Sequence, residues 1–185
     1  MTTETNRRRN SPHIQLNMNS GNIQQIESGQ LLGVNIHQDL KWSNYIFSGD
    51  DCSLVKTLNT RLKALKQICT TADFKTRLQI ANGIFMSKLI YCIPLWGGTS
   101  VEMIRMLQVV QNKAARYITK LDWYTPSETL MKQCNWFNIK QLIAYHSLLS
   151  LHKNLVFNQP MYMFKKLDRS FPRNTRLAQS GNIRL

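Results

Sequence analysis

Acidic residues are scarce in this chain of 185 residues: 10 Asp and Glu stand against 24 Lys and Arg, a formal charge of +14. An excess of that size disfavours basic partners and points to a phosphate-rich one, because each Lys or Arg set on a phosphate releases condensed counterions. Solubility alone is the plainer use of such charge. Cysteine is also thin. Cys52, Cys69, Cys92 and Cys134 lie far apart, with no Cys-x-x-Cys pair and no histidine at ligand spacing. That excludes a zinc ribbon and a disulfide framework and leaves reduced thiols.

Long hydrophobic runs are missing. The most apolar stretch, Leu89 to Trp96, is far too short to span a bilayer. The opening residues, Thr-Glu-Thr-Asn-Arg, are polar throughout, so neither a signal peptide nor a membrane partner is expected, and the location is expected to be nuclear or cytoplasmic. No G-x-S-x-G elbow and no G-x-x-x-x-G-K-[ST] phosphate loop occurs, and both are needed by large enzyme classes. His146 and His152 are six apart on one helical pattern, so they do not share a face as i, i+4 ligands do. Nothing here assembles a hydrolase.

What is present is globular. Hydrophobic residues make up 43%, enough for one domain with a core. The pattern is α+β: a small N-terminal antiparallel β-meander, then a mainly α-helical, thumb-like bundle. Residues 1–12 form a basic polar arm with an Arg triplet and Ser11-Pro12. Residues 13–50 read as the meander. Ile14, Leu16 and Met18 alternate, Asn19 to Asn22 make a turn cluster, and Leu31 to Ile36 read as a third strand.

Residues 51–157 carry helical periodicity. Leu54, Leu58, Leu62, Leu65 and Cys69 make one apolar stripe. Asp73 is placed to cap a second helix with Leu78, Ala81, Phe85 and Leu89 inward, ending by Ile93-Pro94 because proline disfavours helix before it. Thr99-x-x-Glu102 reads as a capping box before Val101, Ile104, Leu107, Gln111, Ala114 and Ile118. Thr125-Pro126-x-Glu128 reads as another. Asn138 opens the last long helix, with Ile139, Leu142, Ile143, Leu149 and Val156 on its buried side, and residues 158–185 form a basic irregular tail.

One short motif invites a catalytic reading. Gly49-Asp50-Asp51 resembles the turn on which polymerases hold two metal-binding carboxylates. Such a site needs two Mg²⁺ about 4 Å apart and a further aspartate from another strand. The residues before it pass as a strand (Trp42 to Phe47), but those after it begin a helical stripe, and no third aspartate falls into a pattern. Two acidic residues just ahead of a helix read better as cap residues. The chain is expected to hold no metal and no cofactor.

The basic residues carry more information. Lys56, Lys63 and Lys66 recur along one helical stretch, and Lys113, Arg116 and Lys120 along another. Each set runs beside an apolar stripe. Such faces are either simply solvated or they track a nucleic-acid backbone. Trp96, Trp123, Tyr124 and Trp136 can stack bases or anchor the core.

From about residue 14 onward the chain resembles the region that follows the palm in reverse transcriptases of non-LTR (LINE-type, jockey-like) retrotransposons. The likeness rests on QLLGVNIHQDLKWSNYI, YCIPLWGG, LQVVQNKAARYIT, NWFNIKQLIAYHSLLSLHKNL, QPMYMF and RNTR, in that order. Leu31, Leu32, Gly33 and Val34 match a Leu-Gly-Val block near the primer grip, and Trp42 a tryptophan after it. Tyr91, Trp96 and Gly97 match a segment between two thumb helices. Gln111, Asn112, Lys113, Ala114 and Arg116 match a Gln-Asn-Lys helix. Trp136, Pro160, Tyr162, Arg173 and Arg176 match later positions. Tyr45 stands where a histidine is common and Cys92 where a glycine is common.

The resemblance implies a primer-grip-like block and a thumb that holds the template–primer, an RNA–DNA or DNA duplex, by its backbone. The two basic stripes, Lys56, Lys63 and Lys66 with Lys113, Arg116 and Lys120, are the expected backbone contacts by their spacing. The resemblance also implies partners in the fingers and palm of the parent polymerase, whose aspartates hold Mg²⁺ in the intact enzyme. Those aspartates would precede Leu31, whereas Asp50 and Asp51 follow it, so no polymerase activity is expected of this chain alone. The alternatives are a free-standing basic helical nucleic-acid-binding module and a helical protein-interaction domain.

Overall fold

The apolar stripes settle into one core whose largest fully buried side chains are Trp96, Tyr45 and Phe85. The computed structural model describes residues 16–18, 21–23, 26–47, 53–68, 70–157 and 161. Antiparallel strands come first and helices follow, an α+β arrangement. Strands β1 (Leu16–Met18) and β2 (Gly21–Ile23) pair, with Leu16 opposite Ile23. Strands β3 (Ser28–Leu31) and β4 (Val34–His37) pair separately, with Leu31 opposite Val34. The expected third strand over Leu31 to Ile36 is therefore two strand ends joined by a turn. Leu32 and Gly33 both have positive φ, 50° and 77°, as a two-residue type I′ hairpin requires. Leucine is a rare occupant of such a corner, which is why the turn reads as strand in sequence.

Trp42 to Phe47 is not a strand. Helix α1 (Ser43–Ile46) takes its place, with the Trp42 carbonyl accepting from Ile46 N–H at 3.0 Å. Helix α2 (Leu54–Ile68) buries Leu54, Leu58, Leu62 and Leu65 as its period dictates. Its cap is Ser53, whose carbonyl accepts from Thr57 N–H at 2.9 Å and whose hydroxyl accepts from Lys56 N–H at 3.4 Å. Asp50 and Asp51 lie outside the described residues, as do the arm at 1–12, Cys52, Cys69, and Pro160, Tyr162, Arg173 and Arg176.

Asp73 takes the expected N-cap position of α3 (Phe74–Ala81). The Thr76 side chain, ahead of the first-turn amides, holds its carboxyl below the ordinary value. The helix then widens into a π-turn over Asn82–Met86 and continues as α4 (Ser87–Ile90). Two side chains brace the widened turn. Arg61 on α2 donates to the Ile84 carbonyl, and Trp136 Nε1 donates to Asn82 Oδ1 at 2.8 Å. Ala81, Phe85 and Leu89 face inward as the stripe predicts.

Ile93-Pro94 does not end a helix but opens one. Helix α5 (Ile93–Trp96) starts there with proline in its first turn, where its missing N–H costs nothing. The break comes earlier, at Cys92, whose φ is 56°. Helix α6 (Val101–Thr119) is capped by Ser100, whose hydroxyl accepts from Met103 N–H at 3.4 Å. The cap thus falls one residue after Thr99, and Val101 stays exposed. Helix α7 (Ser127–Cys134) has Pro126 as its cap residue rather than as its first helical one.

Helix α8 (Ile139–Phe157) begins where Asn138 predicts. Asn138 and Gln141 form a reciprocal box, Asn138 N–H to Gln141 Oε1 at 3.0 Å and Gln141 N–H to Asn138 Oδ1 at 2.9 Å. Gln108 on α6 adds a third acceptor, taking Ile139 N–H at 2.9 Å, while Gln111 donates to the Phe137 carbonyl at 2.8 Å. The expected inward Val156 is instead 56% exposed. The outer half of α8 is apolar on every side, so its periodicity carries no information about burial.

Candidate nucleic-acid interface

The basic ends of two helices meet at one pocket. Helix α2 closes on Lys66, and α6 closes on Arg116 and Lys120. Lys120 has φ 57° and ends α6 in a left-handed residue, its N–H bonded to the Arg116 carbonyl at 2.9 Å. A pocket of about 390 Å³ lies between them, lined by Lys66, Thr70, Arg116, Tyr117, Lys120 and Leu121. No carboxylate among the described residues lines it.

Each cation in the pocket is held. Lys66 Nζ lies 5.9 Å from the centre of the Tyr117 ring, and the Arg116 guanidinium lies 4.7 Å from that of Trp123. Both distances permit cation–π attraction. Lys120 Nζ donates to the Thr70 carbonyl at 3.4 Å, which draws the loop after α2 onto α6. Arg116 Nε is buried and has no hydrogen-bond partner among the described residues. A buried, unpartnered donor on a permanent cation is costly.

The structure therefore brings together three of the six sequence-predicted cations. Lys66, Arg116 and Lys120 share the pocket, whereas Lys56, Lys63 and Lys113 are exposed on the same two helices without lining it. Lys63 stands about one turn before Lys66, and Lys113 about one turn before Arg116, so the basic face extends from the pocket along both helices. Thr70 and Tyr117 complete the lining and carry no separate sequence signal, while Trp123, which the sequence offers as a base-stacking or core aromatic, lies beside it under Arg116. Two other arginines turn inward. Arg77 is buried, with Nε donating to the Ile118 carbonyl at 2.8 Å and its NH1 group to the Ala72 carbonyl at 2.7 Å. It ties the start of α3 to the last turn of α6, where a cation also suits the helix dipole. Arg61 is spent on the π-turn.

Leu31 to Val34, the block expected to be primer-grip-like, sits elsewhere, on the β3–β4 hairpin. Leu32 is 82% exposed at the corner beside Gly33, Leu31 is exposed, and Val34 is buried. Tyr91 hydroxyl donates to the Leu32 carbonyl at 2.8 Å, fastening the corner to the helical body. The carbonyl of Tyr91 in turn accepts from Trp96 Nε1 at 3.0 Å. Beneath lies Tyr45, buried, its hydroxyl without a partner among the described residues. Burial, then the nearby Cys92 and Tyr91, push its pKa up to about 12.

Among the described residues no three or more His, Cys, Asp or Glu side chains group to hold a metal ion, and no helix is long and apolar enough to cross a membrane.

Comparison with known proteins relates the chain, distantly, to reverse transcriptases of transposable elements. The particular relative is a probable RNA-directed DNA polymerase from transposon X-element of Drosophila melanogaster, 25% identical over 144 residues. The alignment takes in 71% of this chain and 15% of that polymerase, so the chain spans a small part of its relative's length. No protein-family model and no solved structure matches.

Proposed function

We propose that this chain is the post-palm, thumb-like part of a non-LTR retrotransposon reverse transcriptase, and that it holds the template–primer duplex by its phosphate backbone. The observation that carries the reading is the carboxylate-free pocket where Lys66, Arg116 and Lys120 converge, in a chain related to an RNA-directed DNA polymerase. Lys56, Lys63 and Lys113 extend the contact along α2 and α6. The grip is electrostatic and insensitive to sequence, as phosphate contacts must be. The palm and fingers of the parent polymerase are its partners, and the Mg²⁺ chemistry belongs to aspartates there. The β3–β4 hairpin, fastened by Tyr91, is the part that faces the palm.

Two assays test this. RNA–DNA hybrids of unrelated sequence are expected to bind with equal affinity, and a sequence preference of tenfold or more contradicts the grip. Primer extension by this chain with Mg²⁺ is expected to yield no product. Product formation lost in Asp50→Asn with Asp51→Asn would make those aspartates catalytic and overturn the assignment.

A further inference from the structure

The four aromatics that sequence alone leaves open divide cleanly in the structure. Trp96 and Trp136 are buried core anchors, whereas Trp123 is 69% and Tyr124 94% exposed. The exposed pair are the two corner residues of a turn closed by Thr125 N–H to the Asp122 carbonyl at 3.1 Å. That turn follows directly on Lys120 and Leu121, which line the cationic pocket. Arg116 joins the two features, since it lines the pocket and its guanidinium lies over the Trp123 ring.

Apart from the Arg116 contact on Trp123, nothing among the described residues needs these rings at the surface. A turn corner usually carries small polar residues, and exposing two large aromatics side by side forgoes the burial that Trp and Tyr otherwise supply. A cationic pocket for phosphate with flat rings beside it is the arrangement that holds a nucleotide whose base is free to stack. A paired base is already stacked within its duplex, so rings at a corner add little to duplex binding.

We infer that the end of α6 and the turn after it form a site for an unpaired nucleotide, its phosphate in the Lys66–Arg116–Lys120 pocket and its base on Trp123 and Tyr124. The inference rests on a nucleic-acid partner and shares the pocket of the duplex grip, but it is read apart from that grip, through the added effect of a single-stranded extension.

The test compares a blunt RNA–DNA hybrid with the same hybrid carrying an unpaired extension of a few nucleotides, read by affinity and by tryptophan emission. The extension is expected to tighten binding at least about fivefold, the lower end of one base–aromatic stack, and to quench emission. Tyr124→Ala, which leaves the Arg116 contact with Trp123 in place, is expected to cut the affinity gain while blunt-hybrid binding stays, and Trp123→Leu with Tyr124→Ala is expected to erase both the gain and the quenching. Both residues are exposed, so an unchanged melting curve certifies the fold. An extension with an uncharged methylphosphonate backbone is expected to keep the quenching and lose part of the gain. Equal affinity for both probes, or a gain that survives in the double variant, overturns the site. Binding of the extended probe alone upholds the site and sinks the duplex grip; binding of neither sinks both.

Discussion

At the scale of single residues, the two positions that depart from the family resemblance are neighbours in the fold. Cys92 stands where a glycine is common, and its φ of 56° is one that L side chains adopt only with strain. Cys92→Ala keeps the strain and Cys92→Gly removes it, while both lose the thiol's packing. Chemical denaturation is expected to find the glycine variant the more stable of the two by about 1 kcal/mol. Equal stability would mean that the backbone stores no strain there.

Tyr45 presents the other departure, a buried hydroxyl without a partner among the described residues. Its pKa is raised from 10.0 to about 12, and burial raises that of the Cys134 thiol from 9.0 to about 11. Both groups are neutral in the native state and harder to ionise there than in the unfolded chain. Their contribution is therefore complete below pH 9, and is lost as pH rises through the two native values. Melting temperature is expected to fall steeply between pH 9 and 12. Tyr45→Phe is expected to melt no lower than the parent at pH 7, since it deletes an unsatisfied group, and to soften the alkaline fall. A variant that melts several degrees lower would show that the hydroxyl is bonded in solution.

At the scale of elements, regular helices were the most legible part of the sequence and their joints the least. Leu54 to Leu65 and Ala81 to Leu89 follow a 3.6-residue period because one face of each helix is buried. That signal vanishes in the outer half of α8, where Leu148, Leu151 and Val156 are all exposed. Joints depend on single backbone angles that composition encodes weakly: Leu32 at a hairpin corner, Cys92 between α4 and α5. Pro94 misled for the same reason, since proline marks a helix start as readily as a stop.

The joint at Gly97 is legible only in three dimensions. A Cβ there would lie 2.8 Å from both Ile143 Cγ2 on α8 and the Ile93 carbonyl. Gly97→Ala is expected to destabilise the fold by about 1–3 kcal/mol, as overpacking at a tight contact does. Urea denaturation measures it, and an unchanged midpoint would contradict the close approach of α5 and α8.

At the scale of the whole molecule, the charge was plain in the sequence and its placement was not. Six cations fell on two helical stretches, and only the meeting of α2 with α6 decides that Lys66, Arg116 and Lys120 share a pocket while Arg61 and Arg77 turn inward. Periodicity assigns a residue to a helix face; it does not say which helix end that face will meet. The pocket is where the proposed grip is strongest. The slope of log affinity against log salt concentration measures it most directly, because the slope counts phosphates neutralised, at about 0.9 for each on duplex DNA. Replacing Lys66, Arg116 and Lys120 together by alanine is expected to flatten the slope by about 2 to 3 and to weaken all duplex sequences alike. A slope unchanged by the triple replacement, in a chain that still folds, would contradict the proposal that this pocket grips the template–primer backbone.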